Sequence, residues 1–314
     1  MNILSLFDGM SCGQIALNRA GIKYENYYAS EIENTPIKVT QHHFPNTIQL
    51  GDVTKISASD LPKIDLLIGG SPCQGFSFAG KQLNFNDPRS KLFFEFVRLL
   101  KECKPKYFLL ENVKMKKEYE NIISEHLGVQ PIKINSNLVS AQNRIRNYWT
   151  NIPNILQPDD KKIVLKNILE TGVFEKDKSY YLTEESYKKE GLEKYHKKEI
   201  RQVVFTERRT EEAKAIRREY QKMGRDFSPR RGKELVPRTD DKCNCLTTSL
   251  SKEHILIDEL GEFRKLTELE CERLQTVDDN YTQIAGNKTQ RIKMLGNGWT
   301  IDVISHIFKG IKET

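Results

Sequence analysis

The chain has 314 residues, 38% of them hydrophobic, enough for one large domain or two ordinary ones around a sizeable core. Its 50 basic and 43 acidic residues leave a net charge of +7, which permits a polyanionic partner without requiring one. No apolar run approaches the ~20 residues that span a bilayer, so no membrane partner is expected. The opening Met1 to Phe7 lacks a charged lead-in and runs straight into Asp8, unlike a signal peptide. Six cysteines scattered without a disulfide rhythm favour a reducing cytoplasm. Cys243 and Cys245 lack a second pair and His254 is not at zinc-ligand spacing, so no metal is expected.

In chain order, Ile3 to Phe7 reads as a short apolar strand that breaks at Asp8-Gly9-Met10-Ser11-Cys12-Gly13. Ile15, Ala16, Leu17 and Ala20 then recur at helical spacing up to Gly21, a natural C-terminal stop. A glycine turn between strand and helix opens a nucleotide-binding α/β unit, although this one departs from G-x-G-x-x-G, and an ordinary tight turn is the plain alternative. A second strand near Tyr27 to Ser30 ends at Glu31, where such folds bind ribose hydroxyls. A third, near Ile48 to Leu50, ends at Asp52-Val53, and a carboxylate there can accept from an adenine amino group. These elements imply an adenosine-bearing ligand without a strongly held pyrophosphate. S-adenosylmethionine fits that description better than a dinucleotide does.

Ile64 to Ile68 is an apolar, branched run that stops at Gly69-Gly70 and delivers Ser71-Pro72-Cys73-Gln74. It reads as a buried parallel strand with a loop at its carboxyl end, where ligands sit in open α/β sheets. Cys73 is therefore a candidate nucleophile, with a buried structural thiol as the alternative. A polar stretch through Ser77 to Arg89 looks like a loop over a site. An amphipathic helix follows over Leu92 to Leu100, and a strand from Tyr107 to Leu110 ends at Glu111-Asn112-Val113. Beyond a helix (Glu118 to Leu127) and a strand (Ile132 to Ile134), Gln142-Asn143-Arg144-Ile145-Arg146 precedes Tyr148-Trp149. That alternation puts both guanidinium groups on one face.

The ordered set Phe7-Asp8-Gly9, Glu31, Asp52, Pro72-Cys73, Glu111-Asn112-Val113 and Gln142-x-Arg144-x-Arg146 resembles the DNA cytosine-5 methyltransferases. Arg264-Lys265-Leu266-Thr267, Arg273-Leu274-Gln275, Gln290-Arg291 and Leu295-Gly296-Asn297-Gly298-Trp299 extend the likeness. It covers about Met1 to Pro153 and Phe263 to Lys312. Ser5-Leu6-Phe7-Asp8-Gly9 and Gly69 to Cys73 look closest to the animal de novo-type branch, within a chain of prokaryotic or phage type. The resemblance implies a Rossmann-like α/β methyltransferase sheet with a smaller inserted target-recognition domain. Residues 1–152 would form the catalytic and cofactor-binding domain, 153–262 the recognition region, and 263–314 a C-terminal part whose last helix completes the first.

It further implies that Phe7 stacks on the adenine of S-adenosylmethionine, with Asp8 and Gly9 in the same turn. Glu31 would hold the ribose beside Ile32, and Asp52 would read the adenine amino group beside Val53. Pro72, Asn297 and Trp299 would close the methionine end. Cys73 would be the nucleophile and Glu111 the residue on the base edge, with Arg144 and Arg146 anchoring Glu111 and the flipped nucleotide. Ser11 and Cys12 stand where many members carry glycine, and Gly298 where serine is common.

Double-stranded DNA is the expected partner, and a cognate restriction endonuclease is one the resemblance allows. Gln74 and Ser77 in the loop would face the DNA, as would Arg208, Arg209, Arg225, Arg230, Arg231 and Arg238, interleaved with Phe205, Tyr220 and Phe227. Their plain alternative is a solvated helix face over Glu211 to Met223. An enzyme of the same fold acting on transfer RNA would keep Cys73 and Glu111 but carry a smaller recognition segment. A catalytically silent DNA-binding homologue would lack the thiol or the acid. A nicotinamide oxidoreductase would need the dinucleotide fingerprint that is missing.

Overall fold

The structure is a computed structural model and describes residues 1–71, 91–170, 205–225, 227, 232–237, 242–248, 255–257 and 263–311. The first part of the chain runs β1 (Asn2–Leu6), α1 (Cys12–Ala20), β2 (Asn26–Ser30), α2 (Asn34–His43), β3 (Ile48–Gln49), β4 (Leu66–Gly69), α3 (Lys91–Cys103), β5 (Tyr107–Val113) and α4 (Lys117–Leu127), of which α2 is not anticipated by the sequence reading. Two more strands, β6 (Ile132–Asn135) and β7 (Ile145–Thr150), complete a seven-stranded sheet of order β3-β2-β1-β4-β5-β7-β6. The pairs from β3 to β5 are parallel, whereas β7 lies antiparallel between β5 and β6.

The strand patterns explain why this sheet is a middle layer. Side chains alternate across a strand, and here both sets are apolar and buried. Ile3, Leu66, Ile68 and Leu109 enter one core with Ile15, Ala16 and Leu17 of α1. Leu4, Leu6, Leu67, Phe108 and Leu110 enter another with Phe93, Phe96 and Leu99 of α3 and Ile123 of α4. Parallel strands covered on both faces have this near-continuous apolar character.

Beyond β7 the chain forms a hairpin of β8 (Phe205–Arg209) and β9 (Lys233–Pro237), with α5 (Glu211–Lys222) between them. Thr210 caps α5 by accepting from the Ala213 N–H at 3.2 Å. A second hairpin joins β10 (Ile255–Ile257) to β11 (Phe263–Lys265). The chain then returns through α6 (Glu268–Leu274), α7 (Lys288–Asn297) and α8 (Ile301–Phe308). Helix α6 opens with a reciprocal cap between Thr267 and Glu270. Helix α8 buries Ile301, Val303, Ile304, Ile307 and Phe308 in the same core as α1. Arg19 on α1 ties the two ends together through Asp302, Asp278 and the Thr276 carbonyl. Among the described residues no helix is long and apolar enough to cross a membrane.

Candidate active site

The strand order reverses between β1 and β4, because the chain runs outward through β2 and β3 before crossing back. Open α/β sheets bind ligands at the carboxyl ends flanking such a reversal. Here those ends are Phe7 to Ser11, Glu31, Asp52 and Gly69 to Ser71. The turn after β1 is wound in an unusual way. Phe7 (φ 58°), Gly9 (φ 60°) and Ser11 (φ 62°) alternate in the left-handed region. For residues with a side chain this costs roughly 1–3 kcal/mol each and clusters at functional sites.

Glu31 braces that turn. One carboxylate oxygen accepts from the Gly9 N–H at 2.9 Å, and the other accepts from the N–H groups of Ile32 and Glu33 at 2.8 and 2.9 Å. Each carboxylate oxygen has two acceptor sites, so one site, on the oxygen facing Gly9, is left for a hydroxyl group. Beside it Ile32 is 72% exposed, an apolar side chain open to a flat ligand. Asp52 caps a 3-10 turn over Val53–Lys55, and one of its oxygens accepts both the Thr54 N–H and hydroxyl. Those bonds hold its carboxyl below the usual range. Val53 is buried in the core by contrast, so only its backbone can face a ligand. Phe7 is partly buried against the α3-side core.

Asp8 points inward. One oxygen accepts from the Tyr27 hydroxyl at 2.7 Å, and the other is buried without a hydrogen-bond partner. Burial pushes its carboxyl up to about 6.

A second group assembles around Gly70. A side chain there would meet the Trp299 indole nitrogen at 2.9 Å and the Glu111 carboxylate at 3.2 Å. A bare backbone is what lets these two groups, from distant parts of the chain, flank the end of β4. Glu111 lies on β5 opposite Tyr148, and Arg146 sits two residues along β7 on the same face. Its Nε reaches the Glu111 carboxylate at 3.1 Å, and both side chains are largely buried.

Arg144 takes other partners among the described residues: its guanidinium donates to the carbonyls of Leu246 (2.8 Å), Gly296 (3.1 Å) and Gly298 (2.9 Å). The physical reason lies in its position just before β7, where the returning segment 242–248 docks on residues 141–143 through the Gln142–Cys243 bridge. Both arginines do share a face, since each reaches the Cys245 sulfur, at 3.3 and 3.5 Å. Neither the Cys245 contact nor the role of Gly70 is visible in the sequence. A Cys-x-Cys pair read for metal spacing carries no sign of a guanidinium a hundred residues away.

Behind these groups lies a buried polar network. Gln142 donates to the Leu274 carbonyl at 2.5 Å and to the Gln275 side chain at 2.9 Å; Gln275 donates to the Leu295 carbonyl, and Thr300 to Gln275. It anchors the end of α7, where Asn297 is exposed and, two residues on, the half-buried Trp299 reaches the end of β4. Two of the departures from the family pattern adjoin each other. A side chain at Gly298 would meet the Met10 methyl at 3.1 Å and the Cys12 sulfur at 3.2 Å. With the Met294 carbonyl, also at 3.1 Å, the Cys12 thiol is one of three groups that a larger residue at 298 would press on. Burial pushes that thiol up to about 12, so it packs as a neutral group.

Pro72, Cys73, Gln74, Ser77, Arg230, Arg231 and Arg238 lie outside the described residues. Arg208 and Arg209 line a surface pocket with Lys214, Arg217, Arg218 and Gln221. Arg225 is exposed just past α5, near a Tyr220–Phe227 ring contact at 4.6 Å.

With this geometry in place, the family assignment follows. The C-5 cytosine-specific DNA methylase model matches residues 1–313, and the chain belongs to that family. The type II methyltransferase M1.ScrFI of Lactococcus lactis subsp. cremoris is 30% identical, covering 99% of this chain and 78% of that one. The orphan methyltransferase M.Rho11sI of Bacillus phage rho11s is 36% identical over 179 residues, 53% of this chain and 36% of that protein. Against several such relatives the match spans less than half of their length. The crystal structure of S. pombe Dnmt2 methyltransferase shares the fold, with a TM-score of 0.61, 18% identity and coverage of 98% and 97% of the two chains.

Two outcomes test this geometry. The Asp8 carboxyl is raised on folding, so its contribution to stability is present below its unfolded value near 4 and lost as pH climbs through about 6. The stability difference between Asp8→Asn and the parent should therefore swing toward the variant by up to about 3 kcal/mol from pH 4 to pH 7, read by urea unfolding. Gly298→Ser should destabilise the parent by about 1–3 kcal/mol. In a Cys12→Gly background the same change should cost less, a coupling measurable by a double-mutant cycle.

Proposed function

We propose that this chain transfers a methyl group from S-adenosylmethionine to carbon 5 of cytosine in double-stranded DNA. Residues 1–152 with the final helix would form the catalytic domain, and 153–262 the target-recognition region. The observation that carries the reading is the buried Arg146–Glu111 pair flanking Gly70 together with Trp299. One residue separates Cys73 from Ser71 at that same strand end.

The residues around the turn after β1 suit a nucleoside-bearing donor: a braced carboxylate with one spare acceptor site, an exposed apolar side chain, and an anionic acceptor at Asp52. Bound there, S-adenosylmethionine supplies an electrophilic methyl group and leaves as S-adenosylhomocysteine. Glu31 would hold the ribose, Phe7 and Ile32 the adenine faces, and Trp299 the far end.

Carbon 5 of cytosine is a weak nucleophile. Addition of the Cys73 thiolate at carbon 6 breaks the ring's conjugation and makes carbon 5 enamine-like, the usual gain of covalent catalysis. Glu111 would hydrogen-bond ring nitrogen 3 and the exocyclic amine, sharing a proton with the ring as negative charge develops. General acid help of this kind is worth about 10²–10⁴-fold. Loss of the carbon-5 proton then expels the thiolate.

The base must leave the helix for this chemistry, at a cost of a few kcal/mol. The basic pocket of Arg208, Arg209, Lys214, Arg217 and Arg218 would grip phosphates that offset that cost.

Bisulfite sequencing of plasmid DNA from cells expressing the chain should show methylcytosine at a fixed sequence. Purified protein with donor and a 5-fluorocytosine duplex should form a covalent adduct that Cys73→Ser abolishes while donor binding persists. Failure of the intact chain to be trapped ends the proposal, and modification of transfer RNA in place of duplex DNA would replace the substrate. Neutralising Arg208 and Arg218 should weaken binding equally across sequences. The slope of log affinity against log salt should become shallower by about 0.9 for each phosphate that is no longer neutralised.

A further inference from the structure

The turn after β1 is held by side chains from several elements, and one of them comes from the far end of the chain. Glu31 takes the Gly9 N–H, Thr40 of α2 donates to the Gly9 carbonyl at 3.3 Å, and the Tyr281 hydroxyl donates to the Met10 carbonyl at 2.8 Å. Met10 stands between Gly9 and Ser11, both of left-handed backbone. Tyr281 is 6% exposed and Met10 1%, so the bond is made away from water, where a polar group that loses its partner is costly. Burial pushes the Tyr281 hydroxyl well above its ordinary range, so it keeps the proton it donates.

The phenol ring is itself fixed from two directions. It stacks on His43 at the end of α2, with centroids 3.9 Å apart and planes 11° from parallel, and His43 Nε2 lies 2.7 Å from the Tyr281 carbonyl oxygen. The residues on either side of it are fastened to Glu272 of α6, which is fully buried. One Glu272 oxygen accepts the Asn280 N–H at 2.7 Å. The other accepts the Thr282 N–H at 2.8 Å, the Thr282 hydroxyl, and Nη2 of Arg291 on α7 at 3.0 Å. Buried ion pairs add little stability of their own and are better suited to fixing an arrangement. A phenylalanine at 281 would fill the core equally well. What this framework fixes is the place of one hydroxyl.

We propose that Tyr281 is a positioning residue for the methyl donor, its hydroxyl holding the Met10 carbonyl and with it the turn from Phe7 to Ser11 in the shape that receives the nucleoside. The proposal rests on the reading of that turn as the donor site. Tyr281→Phe keeps the ring and its stacking on His43 and removes only the bond to Met10.

The test uses the full chain. Isothermal titration calorimetry with S-adenosylhomocysteine, without DNA, should show Kd raised about tenfold in Tyr281→Phe, the loss expected when a buried carbonyl is left without its donor. With labelled S-adenosylmethionine and unmethylated plasmid DNA, KM for the donor should rise in step, while kcat and KM for the plasmid stay within about twofold. A third readout needs no ligand. Amide hydrogen exchange followed by peptide mass spectrometry should be about tenfold faster over Phe7 to Cys12 in the variant and unchanged in β5 and β7.

A parent that binds S-adenosylhomocysteine and a Tyr281→Phe that binds it as tightly overturn the proposal alone. So does exchange unmoved in the turn, or a loss spread over kcat, both KM values and exchange throughout the sheet, which marks a general packing role. A parent that binds no S-adenosylhomocysteine overturns the reading of the turn on which the proposal stands. If Tyr281→Phe does not fold, His43→Ala decides, because it frees the ring while leaving the hydroxyl in place: weakened donor binding with plasmid KM kept supports the proposal, and unchanged donor binding overturns it.

Discussion

The site depends on one close approach, the bare backbone at Gly70 with an indole on one side and a carboxylate on the other. Trp299 and Glu111 are almost two hundred residues apart, and nothing local holds them together. Their meeting requires β4 to end without a side chain, β5 to run in register beside it, and the C-terminal return to finish at that spot. Each requirement has its own physical support. The register comes from apolar alternation on both sheet faces, and the return is fastened by the Gln142–Gln275–Thr300 network. Fully satisfied buried polar networks of this kind specify one arrangement among many that hydrophobic burial alone would allow.

Much of this is legible in the amino-acid order. Apolar runs too short for helices, glycine stops and 3.6-residue periodicity mark β1, α1, β2, β4, α3 and β5 to within about three residues, and β5 runs on through Glu111 to Val113. The acids at strand ends, Glu31, Asp52 and Glu111, can be placed because strand polarity in a parallel sheet puts them on one edge. The antiparallel entry of β7 between β5 and β6 is not legible, because periodicity describes a strand and not its neighbour. The division of labour between the arginines is hidden for a similar reason. Alternation assigns Arg144 and Arg146 to one face, and they do meet at Cys245, but only the docking of residues 242–248 decides that Arg144 turns to the carbonyls of Gly296 and Gly298.

The departures from the family pattern are informative in the same way. Read singly, Cys12 and Gly298 look like two lost functions. In three dimensions they are neighbours, the Cys12 sulfur crowding, with the Met10 methyl and the Met294 carbonyl, the space beside residue 298. Ser11 shows the converse case. It adopts the left-handed backbone that glycine would take, and its hydroxyl accepts from Gln14 at 2.8 Å in a buried network that also engages Thr47 and Tyr24. Conformational strain at that turn is offset by hydrogen bonding that glycine could not supply.

Helix α8 packs on α1 and fills the same core. Consequently the helix after the β1 turn remains without this apolar cover until translation has passed residue 308. Domains tend to fold as units during synthesis, and an open hydrophobic face is a hazard while it lasts. A nascent chain of this topology must therefore keep the α1 side of its sheet unfinished, and sheltered, until α8 has been made.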